Sequence, residues 1–594
     1  MARWYNPHRL ITDPASSRRL SPTFLDVLAL AAIALSCLAL RVPSLDRVCL
    51  NPDESQYQAT ASYLVATDTP PFLPWGEPGS FGLFSGMTWV FGDYPIFELR
   101  VLVQLVCLGM AILLYRLVAA GTNRWCGLMA GLVLVHHTIR YEGLTVNRDW
   151  FASAFVLGGV ALGAVALGRA PGRRTRLLFL SGLVGATGLW FKLQAGFLLV
   201  AVPVALAFEA LDDGRIREGL RAIAVQVSGA LVSGLLHLAP YVALGTLGEY
   251  LGSVLSDWRL FVVGNEAAVE VASGGSALLW QGFYAGQPAR PLLLAAYALA
   301  AASLGAAAWR VARRPASSRP LLAHPTVVLF AVYVVTGMAC VKLGNRFFAH
   351  YYLQMLPAVA GLVGLALYAL AVEARRDRSC RALALAIVVL FVADRVVVVA
   401  GMDGPPGVPG VVYLALGSGI VLYAALRPLR RAGFAASALV GLEIALLVVT
   451  IQRADPPASM SHNSFSFDRV AAFLREQAAP GDRLFVWGWA PEIYSLTEME
   501  SASHITVTQH VVQDHIAGTG PPPGIDPRWA GRLLRELRAR EPRFIVDAAE
   551  RSWFSSNREV YRLSHYPDFE LVALLREDYR QVATLDGCVV YTRR

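Results

Sequence analysis

The segment from Phe24 to Gln452 is a series of apolar runs, each about 17–25 residues long. A helix needs about 20 apolar residues to cross a hydrocarbon core roughly 30 Å thick. The runs therefore predict a polytopic α-helical membrane protein. Only 16% of the residues are charged, whereas soluble chains carry about a quarter. The composition becomes that of a soluble protein from Arg453 onward, so we divide the chain into a membrane domain, 1–452, and a soluble domain, 453–594.

We predict about thirteen transmembrane helices from the length of these runs. The first run follows Arg18 and Arg19 but ends without a small-residue cleavage site, so we interpret it as a retained helix rather than a signal peptide. The approximate bounds are 24–41, 96–118, 124–140, 150–168, 175–191, 193–211, 218–243, 291–311, 322–342, 351–373, 381–400, 411–427 and 433–452.

Arginine clusters on alternate loops set the orientation of these spans. If the N-terminus is cytoplasmic, each of five short internal loops holds three or four arginines, at 169–176, 215–221, 310–319, 375–381 and 427–431. Such loops are typical of the cytoplasmic side, and an odd number of spans then makes the domain 453–594 extracytoplasmic. We therefore expect a multi-pass protein of the plasma or inner membrane. The net charge of +9 is an orientation signal in this interpretation, and no nucleic-acid partner is expected.

The first long external loop, 42–95, opens with an acidic pair, Asp53-Glu54. A helix start explains part of this pattern, with Asn51 as N-cap, Pro52 at N1 and Glu54 closing a capping box. It explains Glu54 better than Asp53. A capped helix start is also a rigid place to hold a base, so the two interpretations are compatible.

A second acidic candidate, Asp149, lies at the start of a later span, where a carboxylate favoured by the helix dipole is the simpler explanation. The chain has only two lysines, Lys192 and Lys342, both at predicted external helix ends. They are either snorkelling side chains or part of a pocket for an anionic headgroup. Arg346 and His350 follow on the same predicted external segment.

Carboxylates and cations on one external face suit the transfer of a sugar from a lipid phosphate. A carboxylate base removes the proton from the acceptor hydroxyl. Positive groups stabilise the charge that develops on the departing phosphate.

Four short motifs, together with their order and spacing, connect these residues to a known superfamily. They are Asp53-Glu54 with Tyr57 and a run to Pro70-Pro71; Glu98-Leu99-Arg100 with Tyr115-Arg116 and Trp125-Cys126-Gly127; Tyr141 with Asp149; and Arg346 to Tyr352 with Leu356-Pro357. They resemble the GT-C superfamily, specifically its bacterial branch related to protein O-mannosyltransferases and to the aminoarabinose transferase of lipid A (glycosyltransferase families 39 and 83). The resemblance covers roughly 24–370, and the tail at 485–494 is similar to the external domain of many bacterial relatives.

The resemblance implies an inverting hexosyl- or pentosyltransferase with a polyprenyl-phosphate sugar donor. Asp53 would be the catalytic base, Glu54 its acceptor-positioning neighbour and Asp149 the second acidic residue of the cleft. The carrier phosphate would be held by Arg346 and His350, with Lys342 and Lys192. The family has no obligatory metal, so we expect no cofactor and leave a divalent metal open. The second long external loop lacks the insert of protein mannosyltransferases, which favours a lipid or glycan acceptor.

Two other functions stay open at this point. An oligosaccharide ligase with a diphosphate-linked donor would depend on external arginines and a histidine rather than on a first-loop acidic pair. A transporter or flippase of lipid-linked sugars would need intramembrane charges, and Asp394, Arg395 and Glu443 lie within apolar runs. The long external loops and the soluble domain favour the transferase.

The domain 453–594 is expected to be a small α/β domain with a partly parallel sheet. Helices are predicted at 467–477 and 529–540, strands at 483–486, 505–508 and 544–547, and a hairpin at 582–592. It contains no nucleophile elbow or phosphate loop, and the seven cysteines of the chain show no metal-binding spacing. We therefore predict an accessory rather than a catalytic role for this domain.

Overall fold

A computed structural model gives the fold. It describes residues 22–42, 45, 52–73, 77–138, 145–167, 169, 171–212, 214–255, 325–344, 349–373, 467–508, 511–512, 524–551 and 562–594. The predicted spans at 291–311, 381–400, 411–427 and 433–452 lie outside the described residues.

Eleven α-helices are described in the N-terminal part of the chain. They are α1 (Pro22–Arg41), α2 (Pro52–Ala66), α3 (Pro78–Phe91), α4 (Ile96–Gly121), α5 (Arg124–Thr138), α6 (Arg148–Ala166), α7 (Pro171–Thr187), α8 (Ala201–Asp212), α9 (Ile216–Ala243), α10 (Pro325–Gly344) and α11 (Leu356–Glu373). Three 3₁₀ helices, Gly188–Trp190, Leu193–Val200 and Ala349–Gln354, interrupt or precede them.

Apolar helices account for most of this part of the protein. Within the described ranges, four are long and apolar enough to cross a membrane: Ile96–Gly121, Arg148–Ala166, Leu193–Leu211 and Ile216–Ala243. Shorter apolar helices lie at Asp26–Leu38, Arg124–Val135, Thr326–Val341 and Leu356–Tyr368. The prediction of a helical membrane protein agrees with this architecture, while the number of spans stays a prediction.

Glycines allow α7 to approach α9 closely. A Cβ added to Gly182 would overlap the carbonyl oxygen of Gln226, and one added to Gly229 would overlap that of Phe179. Small residues bring helix backbones together in this way in membrane bundles. The contact fixes α7, and with it the break in the chain that follows at Gly188.

The C-terminal unit, which we define as residues 467–594, is built on a five-stranded mixed sheet. Its helices are α12 (Asp468–Gln477), α13 (Glu492–Thr497), α14 (Pro527–Arg540) and α15 (Glu570–Asp578), and its strands are β1 (Arg483–Trp487), β2 (Glu500–Ser501), β3 (Phe544–Asp547), β4 (Tyr579–Leu585) and β5 (Cys588–Arg593). The strand order is β2-β1-β3-β5-β4. The pairs β1–β2 and β1–β3 are parallel, whereas β3–β5 and β4–β5 are antiparallel. The sheet is therefore partly parallel, and its hairpin turns at Asp586-Gly587.

The strand predicted at 505–508 is wrong. The strand that lies on the outer side of β1 is β2 (Glu500–Ser501), which precedes this segment in the chain. Thr508 instead binds the loop after β1, since its Oγ1 accepts from Gly488 N at 2.9 Å and its N–H donates to Gly488 O at 3.2 Å. Thr506 is buried against α2, and Ile505 and Val507 are buried in the hydrophobic core of the C-terminal unit, so the composition of this segment imitates that of a strand.

Candidate active site

The acidic pair lies in the first turn of α2. Pro52 begins the helix, and Asp53 and Glu54 follow it. Proline at the first position costs no intrahelical hydrogen bond, and the helix dipole favours carboxylates there. Asn51, the predicted N-cap, lies outside the described residues. Asp53 is half-buried, whereas Glu54 is fully buried.

Glu54 connects α2 to two other parts of the membrane domain. Its Oε2 accepts from Arg100 Nη2 at 2.9 Å, and Arg100 Nε lies 3.4 Å from its Oε1. The backbone N–H of Val146 also donates to Oε1. Both side chains of the ion pair are only 1% exposed. These contacts favour a positioning role for Glu54, which orders α2 against α4 and against the segment that leads into α6.

Asp149 lies at the start of α6, as predicted, and its carboxylate is completely buried. Asn147 caps the helix by accepting from Asp149 N at 2.9 Å. The carboxylate oxygens lie 2.7 and 3.0 Å from Lys192 Nζ, and Gln354 Nε2 donates to Oδ1. Asp149 is therefore more than a helix-dipole carboxylate, because it binds a cation and an amide from two distant parts of the chain.

Lys192 is placed by a break between two apolar helices. The 3₁₀ helix Gly188–Trp190 ends α7, and Lys192 then has an extended backbone (φ −157°) before Leu193–Val200 begins. Its ammonium lies 3.6 Å from the centroid of the Tyr351 ring, within cation–π range. Lys192 is only 3% exposed and its ammonium is bound to Asp149, so its side chain does not extend to solvent as a snorkelling lysine does. Its role in a pocket for an anionic headgroup stays a prediction.

A second cluster, Glu77–Arg148–Tyr57, was not predicted. Arg148 Nη1 pairs with Glu77 and donates to Tyr57 Oη at 3.1 Å, and Tyr57 Oη donates to Glu77 Oε2 at 3.3 Å. Burial raises the pKa of Tyr57 well above its ordinary value, so the phenol stays neutral and keeps its proton. Tyr57 packs against Phe81 and Phe84 of α3. Glu77 has no motif in the sequence, and its one signal is its place directly before Pro78 at a helix start.

The late basic residues are only partly described. The backbone of Lys342 lies in α10 and that of His350 in Ala349–Gln354, but their side chains and the whole of Arg346 lie outside the described residues. The roles of these three residues therefore stay predictions. The neighbouring Tyr351 and Gln354 contact Lys192 and Asp149, so this segment does reach the buried ion pair.

The candidate site thus joins the ends of several helices. Asp53 lies in the first turn of α2, and the neighbouring Glu54 binds both Arg100 of α4 and the backbone of Val146. Asp149 follows Val146 by three residues and binds Lys192. Within the described residues, no group of three His, Cys, Asp or Glu side chains is placed to hold a metal ion. Carboxylates and ammonium groups this close together can serve proton transfer and anion binding.

Comparisons with known proteins show which families and structures the chain resembles. The family model described as dolichyl-phosphate-mannose-protein mannosyltransferase matches residues 68–240. The crystal structure of ArnT from Cupriavidus metallidurans bound to undecaprenyl phosphate matches with a TM-score of 0.56 and 13% identity, over 96% of this chain and 98% of that one. The chain has the GT-C glycosyltransferase fold. The predicted resemblance to this superfamily is confirmed at the level of the fold.

Two further comparisons complete this result. The apo structure of the same ArnT matches with a TM-score of 0.50 and 12% identity, over 96% of this chain and 97% of that one. A search of proteins with curated functions finds no match. The chain therefore shares its architecture with ArnT over nearly its full length, at an identity that establishes the fold alone.

Proposed function

We propose that the protein is an inverting glycosyltransferase that moves a sugar from a polyprenyl-phosphate carrier to a lipid or glycan acceptor on the extracytoplasmic face of the membrane. The observation that carries the proposal is the buried Asp149–Lys192 pair, which Glu54 and Val146 connect to α2, the helix whose first turn holds Asp53. The ArnT that shares this fold is bound to undecaprenyl phosphate, and a carrier of that class has the phosphate that Lys192 and the predicted basic residues would bind.

The proposed reaction is one displacement at the anomeric carbon. The acceptor oxygen forms a bond to C1 as the bond from C1 to the phosphate oxygen breaks, and the electron pair of that bond leaves with the phosphate. Asp53 takes the proton of the acceptor hydroxyl. Lys192, with Lys342, Arg346 and His350, neutralises the phosphate as its negative charge increases. Attack from the side opposite the phosphate inverts the anomeric centre.

The buried ion pair also suggests how Lys192 is prepared for this role. Desolvation of an ammonium costs several kcal/mol unless it has a partner, and Asp149 is that partner in the structure. Tyr351 covers the ammonium with its aromatic face. We propose that the phosphate approaches Lys192 from the side of the predicted pocket residues, so that Lys192 then bridges Asp149 and the phosphate.

The test is the transfer of radiolabelled sugar from a panel of polyprenyl-phosphate donors to native membrane lipids. Purified wild-type protein is compared with Asp53→Asn, which keeps the size of the side chain but removes the base. We expect a loss of turnover of about 10²–10⁴-fold, the usual contribution of a general base. Asp68→Asn is the matched control, because Asp68 is an exposed residue after the end of α2 and its φ of 50° is one that asparagine also adopts.

Each result of this comparison has a defined meaning. Transfer by the wild type and by Asp68→Asn, together with its loss in a folded Asp53→Asn variant, supports the proposal. Equal transfer by all three proteins would exclude Asp53 as the base. Retention of the anomeric configuration in the product would exclude the single displacement.

A further inference from the structure

Helix α2 is a polar helix that is buried on nearly all sides. Its sequence, PDESQYQATASYLVA, has no apolar stripe wide enough for a membrane span. Eleven of its residues are nonetheless buried, among them Ser55, Gln58, Thr60 and Ser62. Buried polar groups require hydrogen-bond partners, so the surroundings of α2 must provide them.

The membrane domain provides partners for the first two turns of α2. Glu54 binds Arg100 and Val146, and Tyr57 binds Glu77 and Arg148. These contacts hold the first two turns of α2 against α4 and against the starts of α3 and α6.

The C-terminal unit provides partners for residues further along α2, and they are specific. Ser495 Oγ donates to Gln58 Oε1 at 3.1 Å. The hydroxyls of Thr60 and Thr506 are hydrogen-bonded at 3.1 Å. All four residues are 4% exposed or less, so these bonds are shielded from water.

Apolar and aromatic contacts extend the same interface. Ala59 is completely buried and belongs to one hydrophobic cluster with Ile493 and Tyr494 of α13. The ring of Tyr63 lies 5.8 Å from that of His504, edge to face. A further bond joins Tyr94 Oη to the carbonyl oxygen of Met499 at 2.6 Å. The interface is therefore continuous with the core of the C-terminal unit.

The interface lies on the same strip of α2 as the proposed base. Residues spaced i, i+4 and i+7 share one side of a helix, so Asp53 and Thr60 lie along one line with Tyr57 between them. A rotation or tilt of α2 at Thr60 would therefore displace Asp53, which lies two turns earlier on the same helix.

We infer that the C-terminal unit is a positioning element for the catalytic helix, with Ser495 and Thr506 as its positioning residues. This inference depends on the proposed function, since it assigns to these residues an effect on the reaction of Asp53. Neither residue contacts the Asp149–Lys192 pair, so the inference separates turnover from donor binding. The loss of the two hydroxyls should slow the chemical step while the affinity for the carrier stays the same.

The test uses the full-length double variant Ser495→Ala/Thr506→Val, in which both changes lie outside α2 and outside the candidate active site. Hydrogen exchange of the α2 amides and the steady-state kinetics of sugar transfer are measured on the same preparation. We expect exchange in α2 to be about tenfold faster, the size expected for one or two buried hydrogen bonds. The kcat should fall three- to tenfold, and the KM for the donor should change less than twofold.

Two controls separate positioning from general destabilisation. Thr506→Ser alone keeps both hydroxyls and should leave both the exchange rate and kcat near the wild-type values. Thr584→Val makes the same chemical change at an exposed site on β4 and should leave both unchanged.

The outcomes are distinguishable from failure of the proposed function. Unchanged exchange in α2, or faster exchange with an unchanged kcat, overturns the inference. A rise in the donor KM that accounts for the whole loss of activity also overturns it. If the wild-type protein transfers no sugar, the proposed function fails by itself, and the exchange experiment still decides whether the C-terminal unit holds α2.

Discussion

The burial of the ion pair between Glu54 and Arg100 predicts how much the loss of Arg100 should destabilise this part of the protein. Arg100→Met keeps the length and apolar stem of the side chain but leaves the Glu54 carboxylate without its guanidinium. Both side chains are 1% exposed, and the guanidinium is 2.9 Å from the carboxylate. Removing one partner of such a pair costs about 3–5 kcal/mol, because the other charge stays in a poorly solvated site.

The same cost should be visible at the Val146 amide, which donates to Glu54 Oε1. If the segment opens locally, a cost of about 3–5 kcal/mol accelerates amide exchange by about two to nearly four powers of ten, at 1.36 kcal/mol per factor of ten. The first turn of α2 should show a comparable change. Amides of the C-terminal hairpin, β4 and β5, should be unaffected.

A second substitution gives this prediction its sharpest form. Glu54→Gln in the Arg100→Met background removes the buried charge and still offers an oxygen to Val146. The double variant should therefore be more protected than Arg100→Met alone, which is the opposite of what additive damage predicts. Arg116→Met is the matched control on the same helix: its pair with Asp26 has a distance of 3.8 Å and Arg116 is 55% exposed, so its loss should cost about 1 kcal/mol or less. Exchange in the double variant that equals or exceeds that of Arg100→Met would refute the reasoning.

Two further predictions concern separate parts of the chain. Lys192→Met should weaken binding of undecaprenyl phosphate by about 10- to 150-fold, as expected for a charge-assisted hydrogen bond of about 1.5–3 kcal/mol; unchanged binding, measured by titration of the purified protein, would remove Lys192 from the proposed phosphate site. Burial raises the pKa of Asp547 from 3.8 to about 6, so its ionisation opposes folding. The free energy of unfolding of the C-terminal unit should therefore fall by up to about 3 kcal/mol between pH 4 and pH 6 and stay lower above that range. Asp547→Asn should therefore raise the thermal unfolding temperature at pH 7.5 and leave it unchanged at pH 4, and an equal shift at both pH values would contradict this account.

The hydrophobic pattern predicted the long helices well. The spans expected at 96–118 and 218–243 correspond to Ile96–Gly121 and Ile216–Ala243. In the C-terminal unit, the strand predicted at 544–547 has the observed bounds, and the one predicted at 505–508 is absent. The difference has a physical cause, since the pattern of β-branched residues reports burial, and Thr506 and Thr508 are buried by side-chain contacts that the sequence does not reveal.

At the candidate site, too, the sequence indicates single residues but not the contacts between them. Asp149 was predicted from its place at a helix start and Lys192 from the rarity of lysine in the chain. In the structure these two residues, 43 positions apart, form an ion pair. The sequence offered Arg100 only as part of a motif and did not identify Glu77. Both are ordinary charged residues at helix starts, and their meaning comes from partners that are distant in the chain.

The long stretch of sequence between α2 and its partners in the C-terminal unit has a consequence for biosynthesis. Thr60 and Thr506 are 446 positions apart, so the hydroxyl that completes the environment of Thr60 is synthesised long after α2 itself. Chains are made from the N-terminus, and contacts between distant segments form only after the intervening loop has closed. During translation, therefore, the polar side chains of α2 that bind the C-terminal unit are hydrogen-bonded to water or to other groups until the last quarter of the protein is made. The membrane domain can be inserted first, but the helix that carries the proposed base reaches its final surroundings as one of the last events in folding.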